Sequence, residues 1–187
     1  EKYAVQFDII QGNGKLDGQF TSVIDSTDAQ GFASVRWTLG QSSGIHKVKL
    51  VNMPLASTNN DSLIFVATAL PDAADEIIRV GGNDQMQGAG KKFVEPLKVR
   101  IVDQYQNGIP NYGVRYTIVP GSGDGYFNGV DGLTDVTEYT DAQGFAQVTY
   151  TAGRQTGDSQ IKAEGIESPD LPEGNYAIFF LKVEAPK

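Results

Sequence analysis

Apolar side chains recur at every second position in two stretches that mirror each other: Tyr3, Val5, Phe7 and Ile9 in YAVQFDII, and Tyr112, Val114, Tyr116 and Ile118 in YGVRYTIV. A two-residue period belongs to a strand with one buried face, so both stretches are expected to be core strands. Ala33, Val35 and Trp37 alternate with Ser34, Arg36 and Thr38, and Ala146, Val148 and Tyr150 repeat the alternation, which predicts a second matched pair of strands. Further strands are expected over 47–51 with 160–163 and over 63–69 with 176–183, and, without a partner in the first half, over 77–80 and 97–103. No stretch carries an apolar stripe of helical period over three turns. Many short strands punctuated by Gly, Asn and Asp predict an all-β fold of antiparallel sandwiches.

The two halves also match letter for letter in places. TDAQGFA stands at 27–33 and again at 140–146. Around it, YAVQFDIIQGNG from Tyr3 lines up with YGVRYTIVPGSG from Tyr112, SVRWTLGQSSG from Ser34 with QVTYTAGRQTG from Gln147, and IFVATALP from Ile64 with IFFLKVEAP from Ile178. Self-similarity of this extent marks a duplicated structural unit. The offset grows between the Gly-x-Gly and the heptapeptide, so a longer loop, GDGYFNGVDGLTDVTE, is assigned to the second copy. The reading is of two tandem domains, 1–73 and 74–187, joined by LPDAADE. The second is complete; the first lacks the N-terminal strands that DEIIRVGGNDQMQGAGKKFVEPLKVRIVDQYQNGIPN supplies to the second.

Within the heptapeptide, Asp28 and Asp141 can accept backbone N–H groups at the start of a tight turn. Gly31 and Gly144 can take the positive φ that closes it, and Ala-x-Val-x-aromatic then enters the core. Neither Asp nor Gly needs a ligand to explain it.

Taken together, VRIVDQYQNGIPNYGVRYTIVPGSGDG, YTDAQGFAQVTYTAG and IKAEG resemble the bacterial immunoglobulin-like repeats of the invasin and intimin group. The shared pattern is an Asp-containing strand, a turn, a Val-x-aromatic strand, a Gly-x-Gly bend and Thr-Asp-x-x-Gly-x-Ala. The chain departs from it in having QNGIP where Asn and Pro would be adjacent. The resemblance implies two tandem immunoglobulin-like sandwiches acting as a structural or spacer module of an exported, extracellular or cell-surface protein. Expected partners are neighbouring immunoglobulin-like domains of the same protein or assembly.

Composition narrows the classes further. With 23 acidic residues against 15 basic ones and a net charge of −8, the chain is a poor match for nucleic acid, whose binding rests on Lys and Arg displacing counterions. No apolar run approaches the roughly 20 residues that cross a bilayer as a helix, so no membrane insertion is expected. Zero Cys and one His, His46, exclude thiolate and His-cluster metal sites.

Candidate chemistry is sparse. Asp124, Asn128, Asp131, Asp135 and Glu138 could offer oxygens to Ca²⁺, but their spacing fits no EF-hand and the interspersed Gly residues suit a surface hairpin as well. Trp37 could stack on a sugar, yet its parity with Ala33 and Val35 assigns it to the core; Phe32 and Phe145, of opposite parity, are the better exposed candidates. His46 has no nucleophile arranged beside it, and its counterpart is Ser159. GGNDQMQGAGK from Gly81 lacks the ending of a phosphate loop and reads as a connection between strands. No catalytic, cofactor or metal site is assigned, and no enzyme activity is expected. Two alternatives to the spacer stand beside it: a fibre or assembly subunit whose incomplete first domain is completed by a strand from another chain, and a carbohydrate-binding accessory module.

Overall fold

The computed structural model describes residues 2–52, 62–166, 171–172 and 174–185, which form strands and turns and no helix. The chain divides into two compact units, Glu1–Pro71 and Asp72–Lys187.

Unit 2 is a sandwich of two sheets. Its strands are β7 (Glu76–Gly81), β8 (Gln85–Gly88), β9 (Leu97–Val102), β10 (Gly113–Ile118), β11 (Tyr126–Phe127), β12 (Asp135–Tyr139), β13 (Phe145–Val148), β14 (Tyr150–Thr151), β15 (Gly157–Gly165) and β16 (Tyr176–Glu184). One sheet runs β13-β9-β7, the other β12-β10-β15-β16-β8, and β11 and β14 form a small ribbon. This is the order of an immunoglobulin-like sandwich, with β7, β9 and β13 in the places of strands A, B and E, and β10, β12, β15 and β16 in those of C, C′, F and G. Every pairing is antiparallel except β16 with β8, which run parallel from Leu181↔Gln85 to Glu184↔Gly88. The Gly-rich stretch after β7 is therefore more than the connection expected from its composition: it crosses to the second sheet and supplies its edge strand. Gly82, at φ 83°, makes the crossing possible, because a Cβ there would lie within 2.8 Å of the Pro96 carbonyl carbon.

The alternating apolar residues face each other between the sheets, as their period requires. Leu97, Val99 and Ile101 from β9, Val114 and Tyr116 from β10, Ile161 and Ala163 from β15 and Phe179 from β16 have no exposed surface. Val148 is 1 % exposed. Tyr116 packs its ring 6.4 Å from that of Phe179 and donates its hydroxyl across the sandwich to the Ala146 carbonyl at 2.9 Å. The bond lets a phenol lie fully buried without leaving a polar group unpaired.

Unit 1 repeats one side of this plan. Its strands are β1 (Ala4–Gln11), β2 (Lys15–Leu16), β3 (Ser22–Ser26), β4 (Trp37–Thr38), β5 (Gly44–Asn52) and β6 (Ser62–Ala69). They form the sheet β3-β1-β5-β6 and the ribbon β2-β4, matching β12-β10-β15-β16 and β11-β14. Register is preserved: Phe7 lies opposite Val23 and Leu50, as Tyr116 lies opposite Val136 and Ala163. Val48 faces Phe65 as Ile161 faces Phe179. Among the described residues, unit 1 has no counterpart of β7, β8 or β9.

That difference overturns one expectation. Residues 32–35 correspond to β13 and the stretch keeps its alternation, with Ala33, Val35 and Trp37 half-buried and Ser34, Arg36 and Thr38 exposed, yet residues 32–35 form no strand; only Trp37–Thr38 pairs, with β2. In unit 2 the same stretch pairs with β9. A strand is defined by the neighbour that takes its backbone hydrogen bonds, and among the described residues no strand lies beside this stretch.

Candidate functional site

The heptapeptide builds the same turn twice. Asp28 Oδ1 accepts from the amides of Gln30 and Phe32, both at 2.9 Å, and Asp141 Oδ1 accepts from those of Gln143 (2.9 Å) and Phe145 (3.0 Å). Gly31 and Gly144 sit at φ 88° and 83°. Thr27 and Thr140 add a clamp that spacing alone does not disclose: their hydroxyls accept from the amides of Tyr3 (3.0 Å) and Tyr112 (2.7 Å), tying the turn to the start of β1 and β10. Hydrogen bonds from the Phe145 amide, with that of Gln143 and the charges of Lys98 and Arg100, hold the Asp141 carboxyl below its ordinary value despite partial desolvation.

A third turn of the same design follows β9 in DQYQNG. Asp103 Oδ1 accepts from Tyr105 (2.9 Å) and Asn107 (2.8 Å), and Oδ2 accepts from the Asn107 side chain (2.8 Å) and the Asp72 amide (2.9 Å). Burial pushes this carboxyl up, but the Asn107 side chain and the three amides outweigh it, so it is held below the usual carboxylate range. All three aspartates of this pattern are therefore spent on backbone.

The Gly-x-Gly bends serve close approach. Gly123 turns at φ 136° with its Cα against the Ser159 hydroxyl, so that a Cβ would come within 2.7 Å of it, and Gly125 similarly abuts Tyr150. In unit 1 the residues against the matching pair are Gly12, which a Cβ would drive into the His46 ring, and Gly14 beside Thr38 and Trp37. Gly12-Asn13-Gly14 thus corresponds to Gly123-Asp124-Gly125, two residues later than the sequence match to Gly121-Ser122-Gly123 suggests. The neighbours agree: Asp17 and Asn128 both have positive φ, 46° and 50°, and accept from Arg36 and Thr149 respectively. The extra residues of copy two are accordingly shared between this bend and the β11–β12 connection.

Behind the bends lies a polar pair. In unit 2 the Tyr150 and Ser159 hydroxyls are 2.8 Å apart and buried. In unit 1 Trp37 and His46 take those places; His46 Nε2 meets the Ser42 carbonyl at 2.8 Å, while Trp37 Nε1 and His46 Nδ1 are buried without a partner. His46 is 1 % exposed and has no access to solvent from which to act on a substrate.

The acidic residues of the long loop do not converge. Asp124 accepts from the Arg154 and Gln155 amides, Asn128 donates to Glu138, Asp135 is paired with Arg115 at 2.7 Å, and Asp131 points to solvent. Among the described residues no three His, Cys, Asp or Glu side chains gather as a metal site would require. Of the two aromatics expected to be exposed, Phe32 is 72 % exposed, but Phe145 is half-buried beneath Lys98 Nζ at 4.2 Å and the Arg100 guanidinium at 5.4 Å. Those cations belong to β9, which has no counterpart among the described residues of unit 1.

The feature that stands out is an open groove on unit 1 of about 240 Å³, lined by Phe7, Ala33, Val35, Trp37, Val48 and Phe65. It is the inner face of the sheet, left uncovered: Phe65 is 47 % exposed, whereas Phe179 at the matching place is 0 % exposed.

No protein-family model matches the chain, and no curated protein matches its sequence. Solved structures similar to it include the adhesin InvE of Yersinia pseudotuberculosis, at 14% identity and a TM-score of 0.46, covering 98% of this chain and 49% of that one. Surface layer protein SbsC is similar at 15% identity and a TM-score of 0.42, over 98% of this chain and 20% of its own. A β-glycosidase from Bacteroides vulgatus is similar at 12% identity and a TM-score of 0.43, over 96% and 21%. The chain spans about half the length of the first of these and about a fifth of the other two.

Proposed function

We propose that the chain is a non-catalytic structural module, a tandem of immunoglobulin-like sandwiches that spaces or displays other parts of an exported bacterial cell-surface or adhesin-like protein. One observation carries this reading. The polar residues that the two copies share most closely, Thr27/Thr140 and Asp28/Asp141, are engaged in holding backbone turns, so what the duplication preserves is architecture. A binding or catalytic function common to both copies would instead preserve side chains aimed at solvent. The sequence resemblance to surface-protein repeats points the same way.

Antibodies raised against the chain should label intact cells of the source bacterium. Replacing unit 2 in the parent protein by an unrelated sandwich of similar length should leave display of the flanking parts unchanged. Labelling only after lysis, or loss of a specific binding activity in the replacement, overturns the proposal.

A further inference from the structure

On the outer face of the larger unit 2 sheet, strand alternation turns Asp158, Gln160, Lys162 and Glu164 of β15 and Tyr176, Ile178, Phe180 and Lys182 of β16 away from the core. Some charges of this face are paired, Lys162 with Glu164 and, on the neighbouring strands, Arg115 with Asp135. Others are not. Asp158 stands opposite Lys182 and Gln160 opposite Phe180, yet the side chains of Asp158, Gln160 and Lys182 make no hydrogen bond or ion pair among the described residues.

These uncommitted groups surround an open ring. Phe180 is 50 % exposed, and Met86, in register with Lys182 on β8, is 56 % exposed. Asp84 is fixed beside Phe180 because its amide donates to the Phe180 carbonyl at 2.8 Å, while Asn83 Oδ1 accepts from the Phe180 amide at 2.8 Å. Together they border a hollow of about 310 Å³, at the lower end of the roughly 300–1,000 Å³ of small-molecule sites. A second hollow of about 380 Å³ shares Met86 with the first and takes in Gln87, Lys91 and Glu184, so the two follow one another along β8.

We propose that this face binds an uncharged, flat sugar chain, a β-1,4-linked oligosaccharide of gluco-configured pyranoses. The broad face of such a pyranose carries only C–H groups and packs on an aromatic ring, while its hydroxyls project sideways. Around Phe180 stand carboxylates that accept from hydroxyls, Asp84 and Asp158, and an amide and an ammonium that donate to them, Gln160 and Lys182. Two carboxylates against one ammonium disfavour an anionic ligand. Charged groups at the centre of the patch disfavour a protein partner, because the cores of such interfaces are depleted of charge. Unit 1 lacks the set: by register Val66 replaces Phe180, Lys47 replaces Gln160, Ile45 replaces Asp158 and Thr68 replaces Lys182. The proposal goes beyond the spacer reading without resting on it. One aromatic platform on an open face holds a sugar with a Kd in the millimolar range, too weak to be the parent protein's specific binding activity but enough, when repeated along a glycan, to rest a spacer against it.

The probe is cellotetraose, titrated into the whole isotope-labelled chain and followed by NMR. Saturable shifts should gather on the backbone amides of Asp84, Gln160 and Phe180 and on the Gln160 side-chain amide, and leave Lys47 and Val66 unmoved. Phe180→Ala should weaken binding roughly tenfold or more, and Phe180→Trp, with a larger ring, should tighten it about threefold. Asp158→Asn combined with Gln160→Ala should weaken it about fivefold or more. These side chains lie on the surface, so the amide spectrum away from the site should stay unchanged in every variant. Tetragalacturonate, which brings carboxylates against Asp84 and Asp158, should bind more weakly than cellotetraose.

Absence of saturable shifts at tens of millimolar cellotetraose overturns the proposal. So does a response that Phe180→Ala leaves intact, one that scatters over both units, or equal binding of tetragalacturonate. Each of these outcomes leaves the spacer reading standing, since that is decided by cell-surface labelling and by display of the flanking parts.

Discussion

The hydroxyl of Tyr150 lies 2.8 Å from that of Ser159 inside unit 2, and the two form a buried polar pair. Removing one member strands the other, and an unpaired buried hydroxyl costs about 1–3 kcal/mol. Ser159→Ala should destabilise unit 2 by that amount. Tyr150→Phe with Ser159→Ala should cost less than the two single changes added together, the deficit being the coupling in a double-mutant cycle measured by urea denaturation.

Burial pushes the Tyr150 phenol up, as it does more strongly that of Tyr116. Both groups bind their proton more tightly folded than unfolded. Their contribution is therefore intact below the ordinary value of 10.0 and is lost as pH rises above it. Stability of unit 2 should be level up to that point and fall beyond it, and Tyr116→Phe should flatten the alkaline limb in denaturation series across pH.

The acid limb has the opposite sign. Asp103 and Asp141 are held below their ordinary value of 3.8, so the unfolded chain takes up their protons first. The stability they provide is present above that value and is lost as pH falls through their folded values. Asp103→Asn keeps an acceptor for the turn but removes the ionisation; it should shallow the loss of stability in acid, followed by circular dichroism.

Gly31 and Gly144 share a letter, a motif and nearly the same φ, yet they should not tolerate alanine equally. At Gly31 a Cβ would meet nothing within 4 Å, whereas at Gly144 it would lie 2.5 Å from the Ile101 carbonyl oxygen. Gly31→Ala should cost about 1 kcal/mol for the backbone conformation alone. Gly144→Ala should cost more than twice that, because β9 must move; denaturation followed by Trp37 fluorescence for unit 1 and tyrosine signals for unit 2 separates the two.

Phe65 and Phe179 make a second such comparison. Phe179→Ala empties a fully buried site and should cost about 3–5 kcal/mol. Phe65 already meets solvent over nearly half its surface, so Phe65→Ala should cost roughly 1 kcal/mol or less in the free chain. Equal costs would mean that the groove is closed in solution.

The duplication and the buried faces were legible in the sequence because period-two alternation survives in strands such as β10 and β16: Val114, Tyr116 and Ile118 face inward as read. So did the heptapeptide's Asp and Gly, whose roles are fixed by local backbone geometry. Pairing was not legible. Residues 32–35 have the right alternation but no neighbouring strand among the described residues, and β8 hides in a Gly-rich run because its partner, β16, lies about a hundred residues away. The bend was misaligned by two positions because GSGDG offers two overlapping Gly-x-Gly frames, and only contact with Ser159 and Tyr150 chooses between them. Phe145 read as exposed because cover by Lys98 and Arg100 comes from a distant strand.

The parallel pairing of β8 with β16 bears on how unit 2 would carry tension. These strands lie near opposite ends of the unit's sequence, and pulling it from both ends draws them past one another along their length. The four register pairs from Leu181↔Gln85 to Glu184↔Gly88 then share the load in shear and must yield together, instead of unzipping one at a time. The crossing at Gly82 thus gives the sandwich a mechanical clasp at its edge.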